Sequence, residues 1–458
     1  MGQKDVPVQL WGLRMKCINP TTEEETTCDE TPVAALPGMF RAAQVASIGY
    51  GVTPVSEREE VIRALRKGLE SRQDKIAQLI SLEMGKPLTL AVREIARTVE
   101  EIEYTLSNMG SWLAPEPCPG GTIYYDPLGV VGVISPWNFP VMLPLRGIVP
   151  ALAAGNGVIC KPSELTPRCG VAISEIVQAA LGRWRDVFQI AVGGKELGRH
   201  VVQLPLNLIA FTGSTQVGKR IAGEASKHLT RCVLELGGLD AAIVLGNVSL
   251  EQVCEPIVRA NATNSGQVCN ALKRVFVPRA LLDPFLAHVA AISRALTIGD
   301  PQESPDMGPL VSETQMNRVL SFIDDAKAKG ARIVSGGRRL ARAGYFVEHT
   351  VIADLPEDAR CLHEEPFGPI LPVIPYDDLE DAIARANGTS FGLTASVWGD
   401  TNDACRAVAR RLVAGTVSIN SHGGGSPGAP WGGAKESGIG RMKTREGLHE
   451  FTTIKVIR

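Results

Sequence analysis

The sequence predicts an α/β protein built on two parallel-sheet layers, and three observations carry that prediction. Between Gly129 and Gly238 short apolar runs (VVGVIS, GVIC, VFQIAV, LNLIAF, CVLEL) alternate with helical stretches such as Pro167 to Leu181 and Gln216 to Leu229. A second alternating series follows Leu239, with strands near RVFV, ARIVSG, LPVIPY, LTASVW and GTVSIN and helices near 249–263, 280–296, 312–329 and 401–413. Alternation of this kind marks parallel sheets covered on both faces. The third observation is scale: 458 residues, 44% apolar and 21% charged, form large cores in two or three domains. Two such layers imply a cleft between them.

The elements follow in order. Residues 57–84 repeat apolar side chains at Val61, Ile62, Leu65, Leu69, Ile76, Leu79 and Ile80, which predicts one helix with a charged outer face. Gly85-Lys86-Pro87 stops it, and a further helix is expected over Ala91 to Leu106. The segment WLAPEPCPGGTIYYD, Trp112 to Asp126, concentrates proline and glycine before an alternating run, so it reads as a hairpin leaving the main body. An exposed strand of that kind pairs with another chain or needs protection.

Charge and cysteine usage narrow the function classes. The 47 basic and 49 acidic residues leave a net charge of −2, with neither a nucleic-acid face nor a tail for anionic membranes, so a small-molecule partner is expected. The ten cysteines form no C-x-x-C pair, which suits reduced thiols. No signal-peptide pattern opens the chain, and no run of about 18 apolar residues occurs, so a cytoplasmic protein is expected. No two histidines stand at i, i+4 or beside cysteines, and no metal site is expected.

The chemistry centres on NSGQVCNALKRVFV, Asn264 to Val277. Cys269 lies there among small and polar residues, with Gly266 three positions before it, where the backbone can approach a reactant closely. A free cysteine also packs as a small hydrophobe; other stretches supply what a nucleophile needs. In GVISPWNFP a strand ends in Asn138, flanked by bulky residues and prolines: a turn residue, or an amide held rigidly enough to donate to a developing oxyanion. LELGG leaves Glu235 at an apolar strand end, where a carboxylate finds a partner or rises in pKa, and both conditions suit a general base. An ordinary Glu at about 4.3 and a thiol at about 8.5 differ by roughly 4 units, or about 5.7 kcal/mol against proton transfer. Burial is expected to close part of that gap.

Three loops could hold a nucleotide. FTGSTQVGKR, Phe211 to Arg220, aims backbone N–H groups and a helix start at phosphate. It comes within one residue of a nucleotide-triphosphatase loop and so raises a phosphotransferase alternative, but Arg220 stands where the magnesium-binding hydroxyl belongs. CKPSELTP puts Lys161 and Glu164 just past a strand, where a cation and a carboxylate can grip the hydroxyls of a ribose; Ser163 or Thr166 can also cap the helix after Pro167. The G-x-G-x-x-G match at Gly423, Gly425 and Gly428 is followed by proline and tryptophan rather than a helix and reads as a flexible loop.

Taken together, PWNFP, KPSE, FTGST, LELGG, GQVC, EEPFGP and PWGGAKESGIGR resemble, in order and over nearly the whole chain, the NAD(P)-dependent aldehyde dehydrogenase superfamily. The resemblance implies an aldehyde-dehydrogenase-like fold: a Rossmann-like cofactor domain over 1–112 and 128–237, a catalytic α/β domain over 238–436, and a small β oligomerisation element from 113–127 and 445–458. It implies Cys269 as nucleophile, Glu235 as base, and an oxyanion hole of Asn138 and the Cys269 N–H. Lys161 and Glu164 would hold the adenine ribose, Gly213 and Ser214 the pyrophosphate, and Glu365 and Phe367 the nicotinamide ribose and ring, with Trp137, Ser163 and Gly237 in the same site. The reaction implied is oxidation of an aldehyde to the free acid through a cysteine thiohemiacetal and thioester. Glu164 favours NAD over NADP, because a carboxylate repels a 2′-phosphate. A homodimer or homotetramer is implied.

The chain also departs from the family pattern. Gly147 and Met442 replace a lysine and a glutamate that many members carry on one proposed proton route, and Leu239 replaces the usual lysine or asparagine after LGG. Arg146, with Met142 nearby, matches an arginine of members that oxidise semialdehydes and aromatic aldehydes, whereas Thr263 replaces a second arginine common in succinate semialdehyde enzymes. A medium aliphatic or aromatic aldehyde is expected, with an acidic semialdehyde as the alternative and a purely structural Arg146 as the bland reading.

Overall fold

A computed structural model describes residues 13–423 and 425–458, and it is organised by three sheets and an N-terminal hairpin. The first sheet has six strands in the order Gly438–Ile439, Arg231–Glu235, Leu208–Thr212, Val130–Ile134, Gly157–Lys161, Phe188–Ile190. All pairings are parallel except that of the short edge strand Gly438–Ile439. Strand alternation explains why these runs are apolar throughout. Val131, Val133, Val158 and Leu208 pack into one core while Val130, Ile159, Ile209 and Phe211 pack into another on the opposite face.

The second sheet has seven strands in the order Arg332–Ser335, Thr350–Ala353, Ile370–Tyr376, Leu272–Pro278, Asp240–Val244, Thr394–Trp398, Thr416–Ile419, with only the first antiparallel. Its two faces again feed two cores, Ile243, Phe276 and Ile374 on one side and Val244, Val275 and Val373 on the other. The chain crosses between sheets at Leu236–Leu239, from the carboxyl end of Arg231–Glu235 to the amino end of Asp240–Val244. The first sheet therefore presents strand carboxyl ends to the cleft and the second presents strand amino ends. Carboxyl-end loops are the binding loops of the first sheet alone.

Sequence-based boundaries hold for Pro167–Leu181 and need correction elsewhere. The helix expected over 57–84 is two helices, Val55–Ser71 and Gln73–Met84, broken at Arg72 (φ −115°, ψ 13°). The change of direction lets Leu65 and Leu69 of one and Ile76 and Ile80 of the other reach the same core. Gly85 does stop the second helix, in the left-handed conformation at φ 77° that glycine adopts without strain. The next helix is longer than expected, Leu88–Trp112, because its buried stripe runs on through Ile102 and Met109. The proline-rich segment forms the expected hairpin, Glu116–Cys118 with Gly121–Pro127, and the C-terminal strand Thr452–Ile457 pairs with it antiparallel.

All ten cysteines are free thiols. Among the described residues no helix is long and apolar enough to cross a membrane, and no group of three or more potential ligands is placed to hold a metal ion.

Candidate active site

Cys269 follows a strained turn. After the helix Leu250–Ala262, three successive residues take the left-handed conformation: Asn264 (φ 52°), Ser265 (φ 55°) and Gly266 (φ 72°). Two of them are not glycine, and each costs roughly 1–2 kcal/mol in that region. Buried hydrogen bonds offset the cost. Ser265 donates to the Gly308 carbonyl at 2.8 Å, and the Gln267 amide donates to the Asn264 carbonyl at 3.1 Å while accepting from the Val311 N–H at 2.9 Å. Only glycine fits at 266, because a Cβ there would stand 2.3 Å from the Gly368 carbonyl. The loop that carries Cys269 thus lies directly on the EEPFGP loop.

Asn138 reaches the same turn from the other sheet. Its amide donates to the Gln267 carbonyl at 3.0 Å, two residues before the thiol, which leaves its second N–H for another acceptor. Its own carbonyl accepts from buried Lys86 at 2.8 Å and from Asn264 at 3.2 Å. Lys86 is in turn paired with buried Glu94, whose other oxygen accepts the N–H groups of Val141 and Met142 at 2.9 and 3.1 Å. Glu94 thereby caps the helix Met142–Ala154 while its partner fixes the turn that carries Asn138. Neither Lys86 nor Glu94 was among the residues expected from sequence. A signal existed for Glu94, a carboxylate on the apolar stripe of Ala91, Ile95 and Thr98.

Glu235 is buried, and neither carboxylate oxygen has a hydrogen-bond partner. Burial pushes it up to about 8, against the pull of Arg146, Arg441 and the Trp431 indole, whose N–H falls short of a hydrogen bond. Burial also pushes the Cys269 thiol up to about 12, with Lys273 the foremost opposing influence. The expectation that burial narrows the gap between base and thiol is therefore corrected. Low polarity penalises both anions, so the two remain roughly 4 units apart, or about 5 kcal/mol.

The nucleotide-binding candidates gather where strand order reverses, between Val130–Ile134 and Leu208–Thr212, the usual ligand crevice of such sheets. Gly213 donates to the Glu235 carbonyl at 3.0 Å, and a Cβ on it would lie 2.4 Å from the Phe211 ring. Ser214 caps the helix Thr215–Ala225, whose free N–H groups open onto this crevice. Lys219 pairs on the surface with Glu436 at 2.6 Å rather than folding over the loop as a phosphotransferase lysine would. Lys161 holds Glu164 at 3.0 Å, with the lysine buried and the carboxylate exposed. Ser163 accepts from the Leu165 N–H, and the Thr166 hydroxyl has no partner; the helix after Pro167 is capped instead by Glu83, which accepts from Arg168 and Cys169 at 2.9 Å. Trp137 and Phe367 meet edge to face with ring centres 5.4 Å apart. Gly237 leaves room for Glu365, whose Oε2 would be 2.3 Å from an added Cβ. Glycine cradle, helix start, and cation–carboxylate pair together fit a dinucleotide.

Arg146 and Met142 line a cleft with Thr98, Glu101, Lys443 and Thr444. Arg146 is not free: it grips Glu101 through two bonds, at 2.6 and 2.8 Å, and Lys443 stands 3.7 Å from the same carboxylate. Two cations thus share one anion. Thr263 is exposed and its hydroxyl turns back to the Arg259 carbonyl. Gly147 faces Val133, Met442 is buried, and neither can carry a proton.

A thiol on a strained turn, an amide donor and a buried carboxylate lie beside a dinucleotide-type crevice, the layout of a nucleotide-dependent oxidoreductase. The chain belongs to the aldehyde dehydrogenase family, whose model matches residues 11–457. It is 35% identical over 451 residues to the succinate-semialdehyde dehydrogenase [NADP(+)] of Deinococcus radiodurans, covering 96% of this chain and 94% of that one. It is 34% identical over 429 residues to the lactaldehyde dehydrogenase of Escherichia coli, covering 91% and 88%. In structure it is similar to the NAD+ complex of an aldehyde dehydrogenase from Bacillus cereus, with a TM-score of 0.94 at 32% identity, over 97% and 93% of the two chains.

The unpaired Glu235 carboxyl predicts a pH-dependent gain from its removal. Its folded pKa of about 8 lies above the unfolded value, so the folded state retains a proton that the unfolded state loses, and stability falls as pH rises between the two. Glu235→Gln should match wild type near pH 4.5 and become more stable by up to about 5 kcal/mol above pH 8. Denaturant melts across that range check this, and a constant difference contradicts it.

Proposed function

We propose that the protein oxidises a medium-sized aldehyde to the free carboxylic acid with Cys269 as nucleophile. The observation that carries this is the 3.0 Å bond from the Asn138 amide to the Gln267 carbonyl, which sets an oxyanion donor and the thiol on one rigid unit. The Cys269 sulfur attacks the carbonyl carbon, and the resulting oxyanion takes the free N–H of Asn138 and the Cys269 backbone N–H. Bound nicotinamide supplies the hydride acceptor. Glu235 then takes a proton from water, the water oxygen adds to the thioester carbon, and the carbon–sulfur bond breaks to release the acid.

Lys161, Ser163, Glu164, Gly213 and Ser214 would hold the adenine ribose and pyrophosphate, with Trp137, Gly237, Glu365 and Phe367 around the nicotinamide ribose and ring. The exposed Glu164 carboxylate supports NAD, with NADP as the alternative cofactor. Residues 1–112 and 128–237 are the proposed cofactor domain and 238–436 the catalytic domain. Residues 113–127 and 445–458 are the proposed oligomerisation element of a homodimer or homotetramer. The edge strand Thr452–Ile457 supports that role, since Ile454, Val456 and Ile457 are exposed on it. Ten free thiols suit a cytoplasmic setting.

A second reading, an acidic semialdehyde, is favoured by the excess of cation over anion where Arg146 and Lys443 share Glu101.

Cys269→Ala should abolish NADH formation, at least about 10³-fold, while leaving NAD binding by calorimetry unchanged; retained turnover removes the thiol from the reaction. Arg146→Ala should lower kcat/KM for carboxylate-ended aldehydes at least about tenfold more than for neutral ones, the scale of a lost charged contact. Equal losses on both substrate sets leave the neutral-aldehyde reading standing and end the acidic one.

A further inference from the structure

Lys273 is a fully buried lysine beneath the proposed nucleophile, and no step assigned above uses it. It lies on the strand Leu272–Pro278, in the run LKRVFV, and its ammonium has three oxygen contacts for its three protons. These are the Val268 carbonyl at 3.1 Å, the Cys269 carbonyl at 2.5 Å and Glu365 Oε1 at 3.0 Å. The glycines of LELGG make room for this node. A Cβ at Gly238 would lie 2.7 Å from the Cys269 carbonyl, and one at Gly237 would lie 2.3 Å from Glu365 Oε2.

We infer that Lys273 is a positioning residue that ties the backbone of the nucleophile to the carboxylate on the nucleotide side, and that its charge is the cation favouring the Cys269 thiolate. The inference rests on the reading of Cys269 as nucleophile. The other ionisable groups facing this node are Glu365, Asp240, Glu235, Arg146 and His422. Burial pushes Asp240 up to about 7 and His422 down to about 4, so neither supplies a fixed charge of either sign at neutral pH comparable with the ammonium. Arg146 also acts on Cys269, but Lys273 is the foremost cation opposing burial at that thiol and the one bonded to its backbone. Lys273 and Glu365 therefore oppose each other at the sulfur, with burial also raising the Glu365 carboxyl against the pull of Lys273.

That opposition gives a test that a packing role does not mimic. Iodoacetamide labelling of Cys269 is followed by peptide mass spectrometry in cofactor-free enzyme between about pH 7 and pH 10, where the rate tracks the thiolate fraction. At a given pH Lys273→Met should label about tenfold more slowly than wild type, Glu365→Gln about tenfold faster, and Lys273→Arg within about threefold, one unit of pKa being tenfold in thiolate. Opposite shifts support the role; rates within twofold of wild type for both, or shifts in one direction, overturn it. If Lys273→Met does not fold, Lys273→Gln takes its place, with slower labelling than wild type supporting the role and a rate within twofold of wild type overturning it. Failure of the underlying reading is seen separately, as NADH formation by Cys269→Ala.

Discussion

The hydrogen bond from Asn138 to the Gln267 carbonyl joins the carboxyl edge of one sheet to the amino edge of the other, and the arrangement of the site follows from it. Asn138 can make that bond only because Lys86 holds its carbonyl and Glu94 fixes both Lys86 and the first turn of Met142–Ala154. Gln267 can receive it only because the chain before it winds through three left-handed residues and Gly266 lies flat against Gly368. The crossing at Leu236–Leu239 is pinned as well. Ser437, fully buried, accepts the Leu236 N–H at its carbonyl and donates its hydroxyl to the Gly237 carbonyl.

Burial does two opposed things in this cleft. It excludes water from groups that must meet a reactant in fixed geometry, and it makes every isolated anion costly. Glu235 and Cys269 both show that cost, and the proton affinity of the base therefore does not by itself ionise the thiol. Lys273, in contact with the Cys269 backbone, is the foremost influence opposing burial at the thiol.

Much of the fold is legible because burial on both faces leaves long apolar runs. VVGVIS, GVIC and LNLIAF announce themselves. Asp240–Val244 does not, because DAAIV carries two alanines and begins with an aspartate that the fold buries and bonds to Thr394. The hairpin Arg14–Ile18 with Glu25–Asp29 is hidden for the opposite reason: it is short, polar and mostly exposed, with little alternation to read. Arg72 breaks a helical pattern whose periodicity continues across it, so spacing alone cannot find the break. The candidates Cys269, Asn138 and Glu235 come from motifs that set a reactive or polar side chain in a chemically unusual neighbourhood. The supporting ions could not be found this way, since Lys86 lies in the link before Leu88–Trp112 and Glu94 lies within that helix, eight residues on, a spacing that matches no helical neighbour rule. Lys273 and Arg274 left a faint sign: two adjacent cations in an apolar strand point to opposite faces, so both had to find buried partners.

The proposed reaction passes through a covalent bond at one sulfur. Glu235→Gln enzyme mixed with aldehyde and NAD, quenched in acid and digested, should carry the acyl mass on the peptide that contains Cys269, in amounts close to one per chain. An acyl group on any other cysteine, or NADH released in the first turnover with Cys269 unmodified, would contradict it.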